Sequence, residues 1–317
     1  MKNKKALLNL EVEIKKILLL IGNTSLKKLD YSRYNLYLKE ESGNPFSRST
    51  KDRSAIYAIK ASLENGELKR DSILVESSSG NFGLALAMIC HKLGLELEAV
   101  VDRNITIQKK GLIEFFAKNV TMVEKPDYSG GYLLTRINAV KERLEANDKY
   151  INLNQYKNQS CIKAFYQMGK EIESQLPQVN YIFVSVSTGA TMTGLLTFFA
   201  DKNVKIVGVD VEGSVIFEEN PNKRKFSGLG SSQKSFFLLE KKYAYDYVIV
   251  SEENIISGCK SFFDNHSILV GASTGAIYHA IENYDLPNYS NVVIINHDDG
   301  YSYFDSVYVK NNLININ

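Results

Sequence analysis

The 317-residue chain is 44% hydrophobic with a formal net charge of +2. It has enough apolar material for a large core in one or two domains, and a charge that selects no partner. No run of eighteen apolar residues and no basic stripe interleaved with aromatics occurs, which sets aside membrane-spanning and nucleic-acid-binding classes. Cys90, Cys161 and Cys259 are widely spaced and the four histidines lack ligand spacing, so neither a disulfide framework nor a metal is expected, and a reducing cytoplasm fits.

Residues 1–22 carry lysines and an apolar run from Ile17, interrupted by Glu11, Glu13 and Lys15-Lys16, with no small-residue cleavage site. A helix running into a loop is expected there, not a signal peptide. Next come a strand at 36–40, a helix at 51–65, a strand at 72–76, a helix at 80–93, a strand at 95–101, a helix at 108–117 and an extended stretch at 120–123. A long helix over 131–146 presents Leu133, Leu134, Ile137, Val140 and Leu144 at helical spacing. After residues 150–152 the pattern restarts, with helices at 161–175, 191–200, 252–263 and 274–283 and strands at 181–186, 204–211, 247–250 and 292–295. Such alternation predicts an α/β fold of two open units with mainly parallel sheets, a seam near residue 150, and ligands at the carboxyl ends of the strands.

Three strand-to-helix junctions carry the chemistry. Asn44-Pro45 signals a turn, Ser49 or Thr50 can cap the following helix, and Lys51 falls in its first turn. The positive field of a helix N-terminus depresses an amine's pKa and favours a nucleophile or base, although a solvated lysine beside Asp52 is the bland alternative. At Ser77-Ser78-Ser79-Gly80-Asn81-Phe82-Gly83, hydroxyls, glycines and an amide at a helix start make a nest for a carboxylate or phosphate; an ordinary cap is the alternative. Ser187-Thr188-Gly189-Ala190-Thr191 repeats the arrangement. Neither stretch is a Walker loop or a GxGxxG fingerprint.

Taken with Gly22-Asn23-Thr24, Asn154-Gln155-Tyr156, Gly228-Leu229-Gly230 and Ser273-Thr274-Gly275-Ala276, these stretches resemble, in order and spacing over essentially the whole chain, the cysteine synthase family of pyridoxal-phosphate enzymes with the tryptophan-synthase β-like fold. The triple serine, Asp127-Tyr128-Ser129-Gly130-Gly131-Tyr132 with Arg136, and Phe226-Ser227-Gly228 look like the branch that joins O-phosphoserine to L-glutamate, the N-(2-amino-2-carboxyethyl)-L-glutamate synthases of siderophore pathways. The resemblance implies a pyridoxal 5'-phosphate site in a cleft between two domains. The smaller, residues 1–12 and 35–150, would carry the substrate-carboxylate loop; the larger, residues 13–34 and 151–317, the phosphate loop.

The resemblance also implies roles. Lys51 would hold the cofactor as a Schiff base and then act as the base. Ser187, Thr188, Gly189, Ala190 and Thr191 would receive the cofactor phosphate, with Ser187 and Ala190 standing where the family prefers glycine. Asn81 would meet the ring hydroxyl. Ser78, Ser79, Gly80, Phe82, Gln155, Tyr156 and Gly228 would line the substrate site, and β-elimination would leave an aminoacrylate for a second nucleophile. Asp299 aligns with the position facing the pyridine nitrogen, although a slip of one residue would put Asp298 or a backbone group there. Arg136 would recognise either the phosphate of O-phosphoserine or a carboxylate of glutamate, unless it is a surface residue. Partners would be small amino acids and a second copy in a homodimer. The competing readings are a cysteine synthase using sulfide and a catalytically silent relative that binds a partner.

Overall fold

The computed structural model describes residues 2–127, 130–226, 228–239 and 243–309. A helix α1 (Lys2–Leu20) buries Leu10, Ile14 and Ile17, spaced to fall on one face, and leads through a loop to two short strands, β1 (Leu26–Leu29) and β2 (Asn35–Glu40). Then follow α2 (Lys51–Glu64), β3 (Ile73–Ser77), α3 (Asn81–Leu93), β4 (Glu96–Asp102), α4 (Ile107–Phe116), β5 (Asn119–Val123), α5 (Leu133–Ala146) and β6 (Tyr150–Ile151). The second half runs α6 (Ser160–Gln175), β7 (Tyr181–Ser185), α7 (Ala190–Phe198), β8 (Lys205–Val211), β9 (Asp246–Val250), α8 (Glu252–His266), α9 (Ala272–Asn283) and β10 (Asn291–Asn296).

Among the described residues the strands form two sheets: a six-stranded one in the order β1-β2-β10-β7-β8-β9 and a four-stranded one in the order β5-β4-β3-β6. Every pairing is parallel except β1 with β2. Parallel strands covered on both faces must be apolar throughout, and Val292, Val293, Ile294 and Ile295 of β10 are fully buried accordingly.

The expected split of the chain needs correction at its first boundaries. Residues 35–40 do not join the smaller sheet: β2 lies in the larger one, Asn35 to Glu40 in register with Asn291 to Asn296. Nor can a boundary fall between residues 12 and 13, since α1 is continuous there. The physical reason is that a strand's sheet is chosen by its distant neighbour, not by the next element in sequence.

α2 is anchored from beneath by a buried charge cluster. Arg53 bonds Glu41 through Nε (2.6 Å) and Nη2 (2.8 Å), and Glu171 of α6 through Nη1 and Nη2 (both 2.7 Å). Lys39 of β2 reaches Glu171 at 2.9 Å. These bonds satisfy the charges mutually and join α2, β2 and α6, so the start of α2, where Lys51 sits, is fixed relative to the larger sheet.

Candidate active site

The carboxyl ends of both sheets open on one cleft of about 640 Å³, lined by residues from each. Lys51, the first residue of α2, stands in its wall, half-buried. Ser49 Oγ accepts the Lys51 N–H at 3.1 Å, so Ser49 and not Thr50 supplies the side-chain bond at this helix start, while the Asp52 carboxylate turns back to accept the N–H groups of Phe46 and Ser47. Lys51 Nζ has no hydrogen bond or ion pair among the described residues. Burial pushes its pKa down, while nearby Cys161 and Asp298 pull the other way. Lys51 is thus not the fully solvated lysine of the bland alternative.

On one side lies the start of α3. Ser78 Oγ accepts the N–H groups of Gly83 (3.0 Å) and Gly80 (3.4 Å), and a Cβ on Gly83 would stand 2.4 Å from the Ser78 carbonyl oxygen, so only glycine lets this turn close. The amides of Asn81 and Phe82 have no partner among the described residues, as expected of a helix N-terminus, and face the cleft. Gln155 Nε2 donates to the Ser77 carbonyl at 3.3 Å, beside the half-buried Tyr156. Below them Glu76 is buried and accepts N–H groups of Ser77 and Asn154, with burial lifting its pKa to about 8.

Opposite stands the start of α7. Gly189 takes φ +91°, and a Cβ there would meet Ser235 Oγ at 2.1 Å. Ser187 Oγ donates to the Gly230 carbonyl at 3.1 Å, laying the 228–230 turn against the loop. The Ala190 methyl goes into the core, so its β-carbon is accommodated away from the cradle, while Ser187 lines the cleft. The amides of Gly189 and Thr191, and Thr191 Oγ1, have no partner among the described residues.

Arg136 of α5 is no surface residue. It lies 3.1 Å from Asp102 Oδ2 through Nε and 3.4 Å from Ser79 Oγ through Nη1, and its side chain is 12% exposed. Ser79 Oγ in turn donates to Asp102 Oδ2 at 2.9 Å and accepts its N–H at 2.7 Å, which holds the loop and the guanidinium together in the cleft wall.

Asp299 is the expected site residue that lies elsewhere. Its carboxylate accepts Arg48 Nε at 3.0 Å and the Tyr301 N–H at 3.0 Å, and it does not line the cleft. Asp298 does: its Oδ2 accepts from Asn81 Nδ2 at 2.7 Å and from Tyr303 at 2.8 Å. Consecutive side chains of this extended segment point to opposite faces, so a slip of one residue decides which enters. Ser273, buried at the start of α9, also lines the cleft, with its Oγ unpartnered. Ser227, Tyr128 and Ser129 lie outside the described residues; Gly228 lines the cleft at φ +87°.

Two helix starts with free amides, aimed at one space beside a free amine, suit a ligand anionic at two places and carbonyl-bearing between them. Residues 17–298 match the family described as pyridoxal-phosphate dependent enzyme. The chain belongs to that family. A structure of an O-acetylserine dependent cystathionine β-synthase from Helicobacter pylori is similar at TM-score 0.84 and 24% identity, over 92% of this chain and 98% of that one. A hydrogen sulfide-producing enzyme from Fusobacterium nucleatum gives 0.81 at 26% identity, over 90% and 98%. An O-ureido-L-serine synthase gives 0.79 at 23% identity, over 92% and 95%. The cofactor of this pyridoxal-phosphate dependent enzyme is thus pyridoxal 5'-phosphate, and the fold is the α/β arrangement expected. The unpartnered Ser273 hydroxyl, the free amides at α7 and the unpaired Lys51 amine fit that group.

Sequence reasoning gives three cleft residues no role of their own. Ser273 falls within the Ser273-Thr274-Gly275-Ala276 motif, where Gly271-Ala272-Ser273-Thr274-Gly275 repeats the small-residue and hydroxyl pattern of the other two helix starts. His297 has no such pattern: a lone histidine gives no signal, and only the fold sets it beside Lys51, where burial first and the lysine charge second hold its pKa down at about 3. Asp298 was weighed only as a slip.

Proposed function

We propose that the protein catalyses β-replacement on O-phospho-L-serine with L-glutamate as nucleophile, giving N-(2-amino-2-carboxyethyl)-L-glutamate and phosphate, as a homodimer in a reducing cytoplasm. The three free, buried cysteines suit such a compartment. The observation that carries the reading is Arg136, a guanidinium held in the cleft wall against Ser79 with donors to spare for a phosphate or carboxylate.

The residues divide the work. Free amides of Gly189 and Thr191 with the Thr191 hydroxyl would hold the cofactor phosphate, and Ser273 Oγ and Asn81, the latter oriented by Asp298, would hold its ring. Bound there, pyridoxal phosphate draws electrons from the substrate Cα and makes its proton removable. Lys51 Nζ, desolvated and without a partner among the described residues, would anchor the cofactor and take that proton. Ser78, Ser79, Gly80 and the free amides of α3 bind the substrate carboxylate, and Gln155, Phe82, Tyr156 and Gly228 shape the space around it.

A second reading is replacement with sulfide on O-acetylserine, the donor that the similar cystathionine β-synthase is named for and a nucleophile related to the product that the Fusobacterium nucleatum enzyme is named for. The leaving group separates the two. Wild-type protein should release phosphate from O-phosphoserine far faster than acetate from O-acetylserine, and Arg136→Ala should erase that preference by roughly tenfold or more, the worth of a charge-assisted contact of about 1.5–3 kcal/mol. Equal rates on both donors in the wild type would favour the second reading.

A further inference from the structure

The mouth of the cleft carries three cationic side chains that none of the roles above uses, Lys223, Arg224 and Lys225. With Lys51 and Arg136 they make five basic side chains in the lining against two acidic ones, Asp102 and Asp298, in a chain whose net charge is +2. Both carboxylates are already engaged, Asp102 with Ser79 and Arg136, Asp298 with Asn81 and Tyr303. Arg224 is half-buried and spends its guanidinium on neutral oxygens, the carbonyls of Gly213 (2.9 Å) and Ser231 (2.8 Å) and Ser232 Oγ (3.0 Å). It braces the segment that carries its neighbours. Lys223 and Lys225 are exposed, and among the described residues neither ammonium has an ion-pair partner; Glu252 accepts the backbone N–H of Lys225 and pairs with neither.

We infer that Lys223 and Lys225 form the rim that selects the second substrate by its side-chain carboxylate, an acidic amino acid and not a neutral thiol or amide. The second substrate arrives when the first already occupies the floor of the cleft, so it must meet the entrance residues. Two ammonium groups without ion-pair partners there raise the local concentration of amino acids that carry two carboxylates and net negative charge, and turn the side-chain carboxylate outward, leaving the amine to point inward. The assignment rests on the reading above for which molecule attacks.

Calorimetric titration of the holoenzyme with L-glutamate and with L-glutamine tests it. Wild-type protein should bind glutamate about tenfold more tightly than glutamine at low salt, less so at high salt, as expected of solvent-exposed charges. Lys223→Gln with Lys225→Gln should abolish the preference, and the paired Lys→Arg replacements should keep it. A wild type without the preference, or a double glutamine variant that retains it, overturns the inference. Failure of O-phosphoserine to release phosphate would sink the proposed reaction separately, and the glutamate preference would still decide whether the rim binds dicarboxylates.

Discussion

At the scale of single residues, an unpartnered polar atom in the cleft wall marks a side chain that can meet a ligand. Ser273 Oγ is buried and unpaired, whereas Asp299 is fully occupied by Arg48 and the Tyr301 amide. Ser273→Ala should therefore shift the cofactor's visible absorption and weaken its binding by about 1 kcal/mol, roughly fivefold. Asp299→Ala should leave the absorption unchanged and cost under about 1 kcal/mol in unfolding, because its partner Arg48 is largely exposed. Titration of each apoprotein with cofactor distinguishes them, and the reverse pattern would return the ring nitrogen to Asp299. Lys51→Ala should fold, lose the covalently held cofactor and fall about 10²–10⁴-fold in rate, the worth of a positioned base; reduction with borohydride and peptide mapping would locate the attachment, and a cofactor mapped to any other lysine contradicts the assignment.

Among elements, helix starts dominate, and two features beneath them can be probed. Gly189→Ala meets both a left-handed φ, about 1–2 kcal/mol for a residue with a Cβ, and Ser235 Oγ at 2.1 Å, whereas Gly228→Ala at φ +87° meets only the first, with open space around it. The Gly189 variant should lose cofactor affinity markedly more than the Gly228 variant; equal losses in a spectroscopic titration would place the phosphate elsewhere. The charge cluster under α2 gives a pH signature. Arg53 and Lys39 outweigh the effect of burial on Glu171 and hold its pKa down at about 2. The unfolded state then binds more protons than the folded one between about 2 and 4.5, so the stability this group contributes is complete above the upper value and lost as pH falls through the window. Glu171→Gln should cost about 3–5 kcal/mol at neutral pH, since it leaves buried Lys39 without its carboxylate and Arg53 with Glu41 alone, and should flatten the acid limb in urea unfolding; an acid limb as steep as that of the wild type would assign it to other carboxylates.

Over the whole molecule, the sequence made legible what is local and repetitive. The βα alternation, the three hydroxyl-rich helix starts and the lysine after Asn44-Pro45 are all short-range patterns, and the structure gathers the residues from both sheets into one cleft. What it hid is long-range. β1, only four residues with lysines at its centre, has no apolar run to reveal it, and chain order groups β2 with residues 35–150 although its partner is β10, at the far end of the chain. His297 and the 222–225 rim acquire meaning only through neighbours that folding supplies. The central claim concerns what this cleft makes, and product analysis tests it most directly. Holoenzyme given O-phospho-L-serine with L-glutamate and sulfide in competition should release phosphate and yield N-(2-amino-2-carboxyethyl)-L-glutamate, identified by mass, as the main product. Cysteine as the sole product, with glutamate left unconsumed, would contradict it.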